Sequence, residues 1–189
     1  MRHGAALVAV VTVCVVASGC TTAVKQVYYG VRGPQGYFLL EQAEPSSTFE
    51  PYQTLVVERF ENALPKNITP SLVNKVLDKT VEELTEAELF GRVERAAGEP
   101  PAGALVIRGK LLDVKSDTIP GQRVISGANH VIAHVWAVDG DSGKVLAWGV
   151  VRGEVKSVAR GGEGSLGEGL AEGIEEFIEK VTGREKPED

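Results

Sequence analysis

The chain has 189 residues, 43% of them hydrophobic, with 20 Lys and Arg against 26 Asp and Glu for a formal net charge of −6. That length supports one domain with a real core, and the negative sign argues against nucleic acid and anionic lipid as partners. With two cysteines in all, the composition is not that of a disulfide-stapled scaffold.

At the amino terminus, Arg2 precedes an apolar run from Ala5 to Val16, which closes on Ala17-Ser18-Gly19-Cys20. A charged start, an apolar middle and a small-residue cut site are the layout of a secretory signal. The stretch from Gly4 to Gly19 falls short of the roughly 20 residues that span a bilayer, so a transmembrane helix is the weaker reading. Ser18, Gly19 and Cys20 resemble the lipobox of bacterial lipoproteins, although Ala17 stands where Leu is most usual. The resemblance implies diacylglyceryl transfer to the Cys20 sulfur, cleavage between Gly19 and Cys20, and acylation of the new amino group by a fatty acid such as palmitate. Three chains would hold the protein at the membrane, at about 0.8 kcal/mol per buried methylene. Thr21, where Asp would signal retention, implies by the same resemblance a periplasm-facing place on the outer membrane, with the inner membrane as the alternative. Cleavage removes 19 of the 189 residues and leaves 170, and Cys14 goes with the signal, so no disulfide forms within a mature chain.

Residues 20–51 read as the lipidated amino terminus and a tether, because Gly30, Gly33, Pro34, Gly36, Pro45 and Ser46-Ser47 interrupt any sustained period. Tyr28, Tyr29, Tyr37, Phe38, Leu39 and Leu40 are too apolar for pure spacer, so part of this segment is expected to pack. Residues 52–183 form the domain. Leu55, Val56 and Val57 predict a strand buried on both faces within Thr54 to Phe60. Thr69 and Pro70 predict a helix start, followed by Leu72, Val73, Val76, Leu77, Thr80 and Leu84 at helical spacing. Glu82, Glu83, Glu86 and Glu88 then read as a solvated helix end rather than an acid and base pair. A short strand is expected over Arg92 to Ala96, and Pro100-Pro101 marks a loop. A long strand follows over Ala104 to Lys115, and a further loop surrounds Pro120-Gly121.

His130 to Asp139, the turn Asp139-Gly140-Asp141-Ser142-Gly143, and Lys144 to Lys156 predict a long antiparallel hairpin. Val131, Ala133, Val135 and Ala137 match Val145, Ala147, Gly149, Val151 and Gly153 in parity as one small apolar face, so paired numbers should sum to an even total. The simplest loop is then the five residues Asp139 to Gly143, and a register pairing Asp139 with Lys144 would contradict it. The opposite face, with Ile132, Trp136, Leu146, Trp148 and Val150 among His130, His134, Arg152 and Glu154, is expected to be half-exposed. Ser165 and Glu168 read as a capping box before Leu166, Leu170, Ile174, Phe177, Ile178 and Val181. Gly167, Gly169 and Gly173 on that helix would let it lie close to the small face of the sheet. Residues 184–189 should fray as a flexible tail.

Four motifs suggest chemistry and lack its context. Gly162 to Gly167 spells GxGxxG, but no later strand completes a βαβ unit and Glu163 and Glu168 would repel phosphate. Gly140-Asp141-Ser142-Gly143 echoes a protease nucleophile loop, yet Lys144 replaces the next glycine and no triad follows. Read as a calcium loop, the same turn fails at Gly143, Lys144 and Val150. On a strand, His130 and His134 stand roughly 13 Å apart, too far to chelate one metal ion together. Asn67-Ile68-Thr69 matches a glycosylation pattern that a bacterial export signal makes irrelevant. No cofactor or metal site is therefore expected.

The lipobox, Leu55-Val56-Val57-Glu58-Arg59-Phe60-Glu61-Asn62, Arg108-Gly109-Lys110 and Asp139 to Lys144 together resemble a family of small bacterial envelope lipoproteins of unassigned function. The first strand, its following Asn and the crossover helix are also similar to the domain shared by curli-secretion lipoproteins, penicillin-binding-protein activator lipoproteins and the amino-terminal part of the Tol-Pal periplasmic protein. The resemblance implies an α/β domain of mixed α+β character, with one four- or five-stranded mixed sheet, a long antiparallel hairpin and two amphipathic helices. Two functions stay open. One is a non-catalytic interaction or assembly module, anchored through Cys20 and serving an envelope protein partner. The other is a binder of a small-molecule or glycan ligand on the face carrying Trp136, Trp148, His134 and Arg152. No convergent acid, base or nucleophile recommends an enzyme.

Overall fold

Among the described residues, seven strands form one mixed sheet, and two helices pack on the same side of it. The structure is a computed structural model that describes residues 34–63, 70–115, 129–155 and 163–187, all within a unit that begins at Pro34. In chain order these are β1 (Gln35–Ala43), a short 3-10 turn (Ser46–Phe49), β2 (Thr54–Val57), β3 (Glu61–Asn62), α1 (Pro70–Glu86), β4 (Arg92–Arg95), β5 (Ala104–Lys115), β6 (Asn129–Asp139), β7 (Val145–Val155) and α2 (Glu163–Thr182). The sheet runs β1-β7-β6-β5-β2-β4, with β3 on β5 beyond the end of β2. β2 is parallel to β4 and β5, while β5, β6, β7 and β1 are antiparallel in succession.

Each element follows from its residues. Leu55 and Val57 are buried in the main core and Val56 on the other face, where it packs with Ala104, Val106 and Val138 under Trp136, as a run of consecutive apolar residues leads one to expect. α1 buries Leu72, Val73, Val76, Thr80 and Leu84, one stripe at helical spacing, and rests it on α2, β4 and β2. α2 lies over β1, β7 and β6 and buries Leu166, Leu170, Ile174, Phe177 and Ile178 completely. Its approach is set by glycines: a Cβ on Gly36 of β1 would fall 2.0 Å from the Gly173 nitrogen, and one on Gly153 would fall 2.3 Å from the Leu170 nitrogen. Backbone therefore lies on backbone, as the small residues of this face lead one to expect. Gly167 lies between the helices, where an added Cβ would fall 3.3 Å from the main chain of Lys75.

Several expectations need correction. The sheet has seven strands rather than four or five. The difference lies in the two-residue β3 and in β1, which occupies the segment expected as tether. Phe38 and Leu40 of β1 pack against the core, so the domain starts well before residue 52. The even register holds from Asn129↔Val155 to Ala137↔Ala147, but a bulge then pairs Val138 with Val145, and Asp139 N–H donates to the Lys144 carbonyl at 2.9 Å. The loop is thus four residues long. Leu146, the extra residue of the bulge, turns into the core, while Val145 is exposed. Ser165 and Glu168 lie inside α2, which already runs from Glu163, so they form no capping box.

The expected fraying tail is partly anchored. Arg184 donates to the carbonyls of Leu89 at 2.7 Å, Phe49 at 3.2 Å and Tyr52 at 2.5 Å, and its guanidinium lies 4.2 Å from the centre of the Phe90 ring. Lys186 reaches the buried Glu175 carboxylate at 2.8 Å. The signal, Gly19, Cys20, Asn67, Thr69, Pro120-Gly121 and Gly162 lie outside the described residues.

Candidate functional site

The hairpin turn spends its polar groups on structure. One oxygen of Asp139 accepts the backbone N–H and the hydroxyl of Ser142, at 2.7 and 2.5 Å, and the other accepts the Tyr52 hydroxyl at 2.5 Å. Asp141 accepts the Gly103 N–H at 3.0 and 3.2 Å, and Gly143 closes the turn at φ 70°. Ser142 is thus a donor to a carboxylate, with its own oxygen accepting the Lys144 N–H at 3.2 Å. These bonds hold the Asp139 carboxyl below its usual value, the Ser142 hydroxyl first and Tyr52 next. Burial, followed by Asp139, pushes the Tyr52 phenol up to about 12.

A pH dependence follows. The folded value of Tyr52 lies above the unfolded one, so its contribution is complete below about pH 10 and is lost as pH rises through about 12. Denaturation midpoints should therefore fall across that window, and less steeply in Tyr52→Phe; parallel curves would exclude this bond as the cause.

The sheet face away from the helices carries the candidate site. Even-numbered residues of β6, and of β7 from Trp148 onward, project from it, and the register sets Trp136 directly opposite Trp148. His134 makes edge contacts with both rings, its centroid 5.6 Å from Trp136 at 88° and 6.1 Å from Trp148 at 69°. Both indoles are half-buried, and Trp148 Nε1 faces the Gln42 side-chain oxygen at 3.4 Å. Trp136 also covers a small second cluster of Val56, Ala104, Val106 and Val138. Among the described residues, no helix or strand lies over this face.

Charged groups frame the aromatic row. Arg152, exposed, sits opposite Ile132 and Tyr37 and lies 3.5 Å from Glu154. Arg108, opposite Trp136, holds Glu58 through two bonds of 2.9 and 3.0 Å. His130 stands 3.4 Å from Asp113, so it and His134 have separate surroundings. The structure thus brings Trp136, Trp148, His134 and Arg152 to one face, and it adds Tyr37 and Leu39 from β1, 45% and 63% exposed, opposite Arg152 and Val150. Those two lie within the segment read as tether. Their aromatic and aliphatic character was the available signal, and the adjacent Leu39-Leu40 pair broke the alternation that would have identified a strand.

No family model and no curated protein matches the sequence. Several solved structures are similar in shape at low identity. A PelC dodecamer from Paraburkholderia phytofirmans has a TM-score of 0.49 and 15% identity, over 80% of this chain and 99% of that one. A Xanthomonas campestris protein of the DUF330 family has a TM-score of 0.46 and 12% identity, over 70% and 82%. The lipoprotein GNA1162 from Neisseria meningitidis has a TM-score of 0.42 and 17% identity, over 66% and 97%.

Proposed function

We propose that this chain is a lipid-anchored lipoprotein of the bacterial envelope, held through Cys20 and facing the periplasm, whose domain is a non-catalytic interaction module. The observation that carries the reading is the directly paired Trp136 and Trp148, bridged by His134 on a face that no described element covers. Half-exposed aromatic rings beside an arginine are the composition of a contact surface, since they offer large apolar area at small entropic cost. The proposed relation to curli-secretion and penicillin-binding-protein activator lipoproteins rests on β2, the Asn62 that follows it and the α1 crossover.

The test has two arms in one strain. Trp136→Ala with Trp148→Ala should weaken capture of the envelope partner in cells while leaving the domain folded by circular dichroism, because both rings stand, partly exposed, on a face that no described element covers. Cys20→Ser should abolish lipid labelling and release the protein from membranes. Unchanged capture would remove the face, and retention on membranes would remove the lipid anchor. Saturable binding of a purified oligosaccharide, lost with the two tryptophans, would replace the protein partner by a glycan ligand.

A further inference from the structure

Between the two helices lies a buried carboxylate that the face of aromatic rings does not use. Glu175 of α2 is 3% exposed, and while its Oε2 meets Lys186 at 2.8 Å, nothing among the described residues donates to its Oε1. A buried acceptor without a donor costs free energy, the more so on a charged group. Its neighbours do not offset that cost, because they too are acids. Glu168, Glu172, Glu175 and Glu179 recur at helical intervals and form one row along α2. α1 runs beside this row in the same sense, since Lys75 reaches Glu163 at 3.4 Å and a Cβ on Gly167 would meet the main chain of Lys75 and Val76. Glu83 and Glu86 of α1 are thereby brought up to the row.

The cations that face it are already engaged. Lys79 of α1 is held by Glu82 at 2.6 Å, and Lys186 of the tail is the partner of Glu175. From β1 comes the Gly36 N–H, which the Glu172 carboxylate accepts at 2.9 Å. Glu176, next to the row, has Glu179 and Lys186 as further charged neighbours. From this geometry we propose that the junction of α1 and α2 is a proton-operated latch, which takes up a proton at Glu83 as its surroundings acidify and then holds the two helices more tightly.

Glu83 is the acid of α1 that is half-buried against the row, whereas Glu82 and Glu86 are exposed. Burial first, then the charges of Glu86, Glu175, Glu168 and Glu172, push its carboxyl above the usual range. Glu172 and Glu176 are pushed up as well, in both cases by burial first. A group whose folded value lies above the unfolded one, about 4.3 for Glu, stabilises fully below the unfolded value and loses that contribution as pH rises through the folded one. Stability should therefore rise as pH falls from neutral. One proton removes one of the like charges and leaves Glu175 with Lys186 under less repulsion. Asp139, whose carboxyl is held down, acts in the opposite direction and only at more acid pH. Lys79 and Lys186, both raised, and Arg184, lowered by burial, stay charged throughout.

The experiment uses the full-length protein with the anchor it carries. Denaturant unfolding at about pH 7.5, 6.5 and 5.5 should show the unfolding constant falling by roughly three- to tenfold toward acid pH. Glu83→Gln keeps the shape and removes the charge. It should be more stable than the parent at neutral pH and should lose at least half of the pH dependence, and its difference from the parent excludes every other group that titrates in the range. Carbon-13 resonance of the Glu83 carboxyl reads the proton directly, with a midpoint above the unfolded value of about 4.3. That midpoint should fall in Glu175→Gln and in Glu86→Gln, the latter a change at an exposed position. A midpoint at or below the unfolded value would overturn the proposal, as would one that neither substitution moves. So would a stability profile that Glu83→Gln leaves unchanged.

Discussion

Gly153→Ala is expected to lower the stability of the domain by roughly 3 kcal/mol, a large share of what a domain of this size possesses. The added methyl would meet the Leu170 nitrogen at 2.3 Å and the Gly169 carbonyl carbon at 2.8 Å. Both atoms are main chain of α2, so no rotamer change relieves the overlap and the helix must lift from the sheet. Lifting it opens Leu170, Ile174 and Phe177, all fully buried. Gly164→Ala in the same helix has nothing within 4 Å and should raise stability by about 0.5–1 kcal/mol through helix propensity alone. Denaturant titration of both variants decides the matter. Equal effects would mean that the close approach of α2 is unimportant.

Arg184→Ala should cost about 2–4 kcal/mol, more than an exposed arginine near a chain end would suggest. Its guanidinium joins the carbonyls of Phe49, Tyr52 and Leu89, which belong to the loops after the 3-10 turn and after α1. Arg184→Lys should recover less than half of the loss, since an ammonium cannot reproduce the fork or the contact with Phe90. Hydrogen exchange should speed at residues 49–52 and 89–90 before it does in β5. Full recovery by lysine would reduce the role of Arg184 to its charge.

The long elements were legible because their patterns are long. β5 begins at Ala104 and ends at Lys115 as expected, and the parity of the hairpin identified which residues share the helix-facing surface. The aromatic face followed from that parity, so Trp136, Trp148, His134 and Arg152 were foreseeable together. What escaped is short or depends on distant contacts. β1 is concealed by Gly33, Pro34 and Gly36, and Gly36 is there because Gly173 must lie against it, 137 residues later in the chain. The loop length was misjudged because the bulge at Leu146 absorbs one residue, an event that no local pattern announces. Arg184 gave no signal at all, since its three acceptors are backbone carbonyls.

The contact between β1 and α2 also sets a timetable. Among the described elements, the edge strand is the first to be synthesised and the helix that seats it the last, joined by the Gly36–Glu172 bond across 136 residues. Contacts so far apart in sequence form late, because the intervening chain must be ordered first. The β1 edge is therefore completed only after every described element between it and α2 has been made.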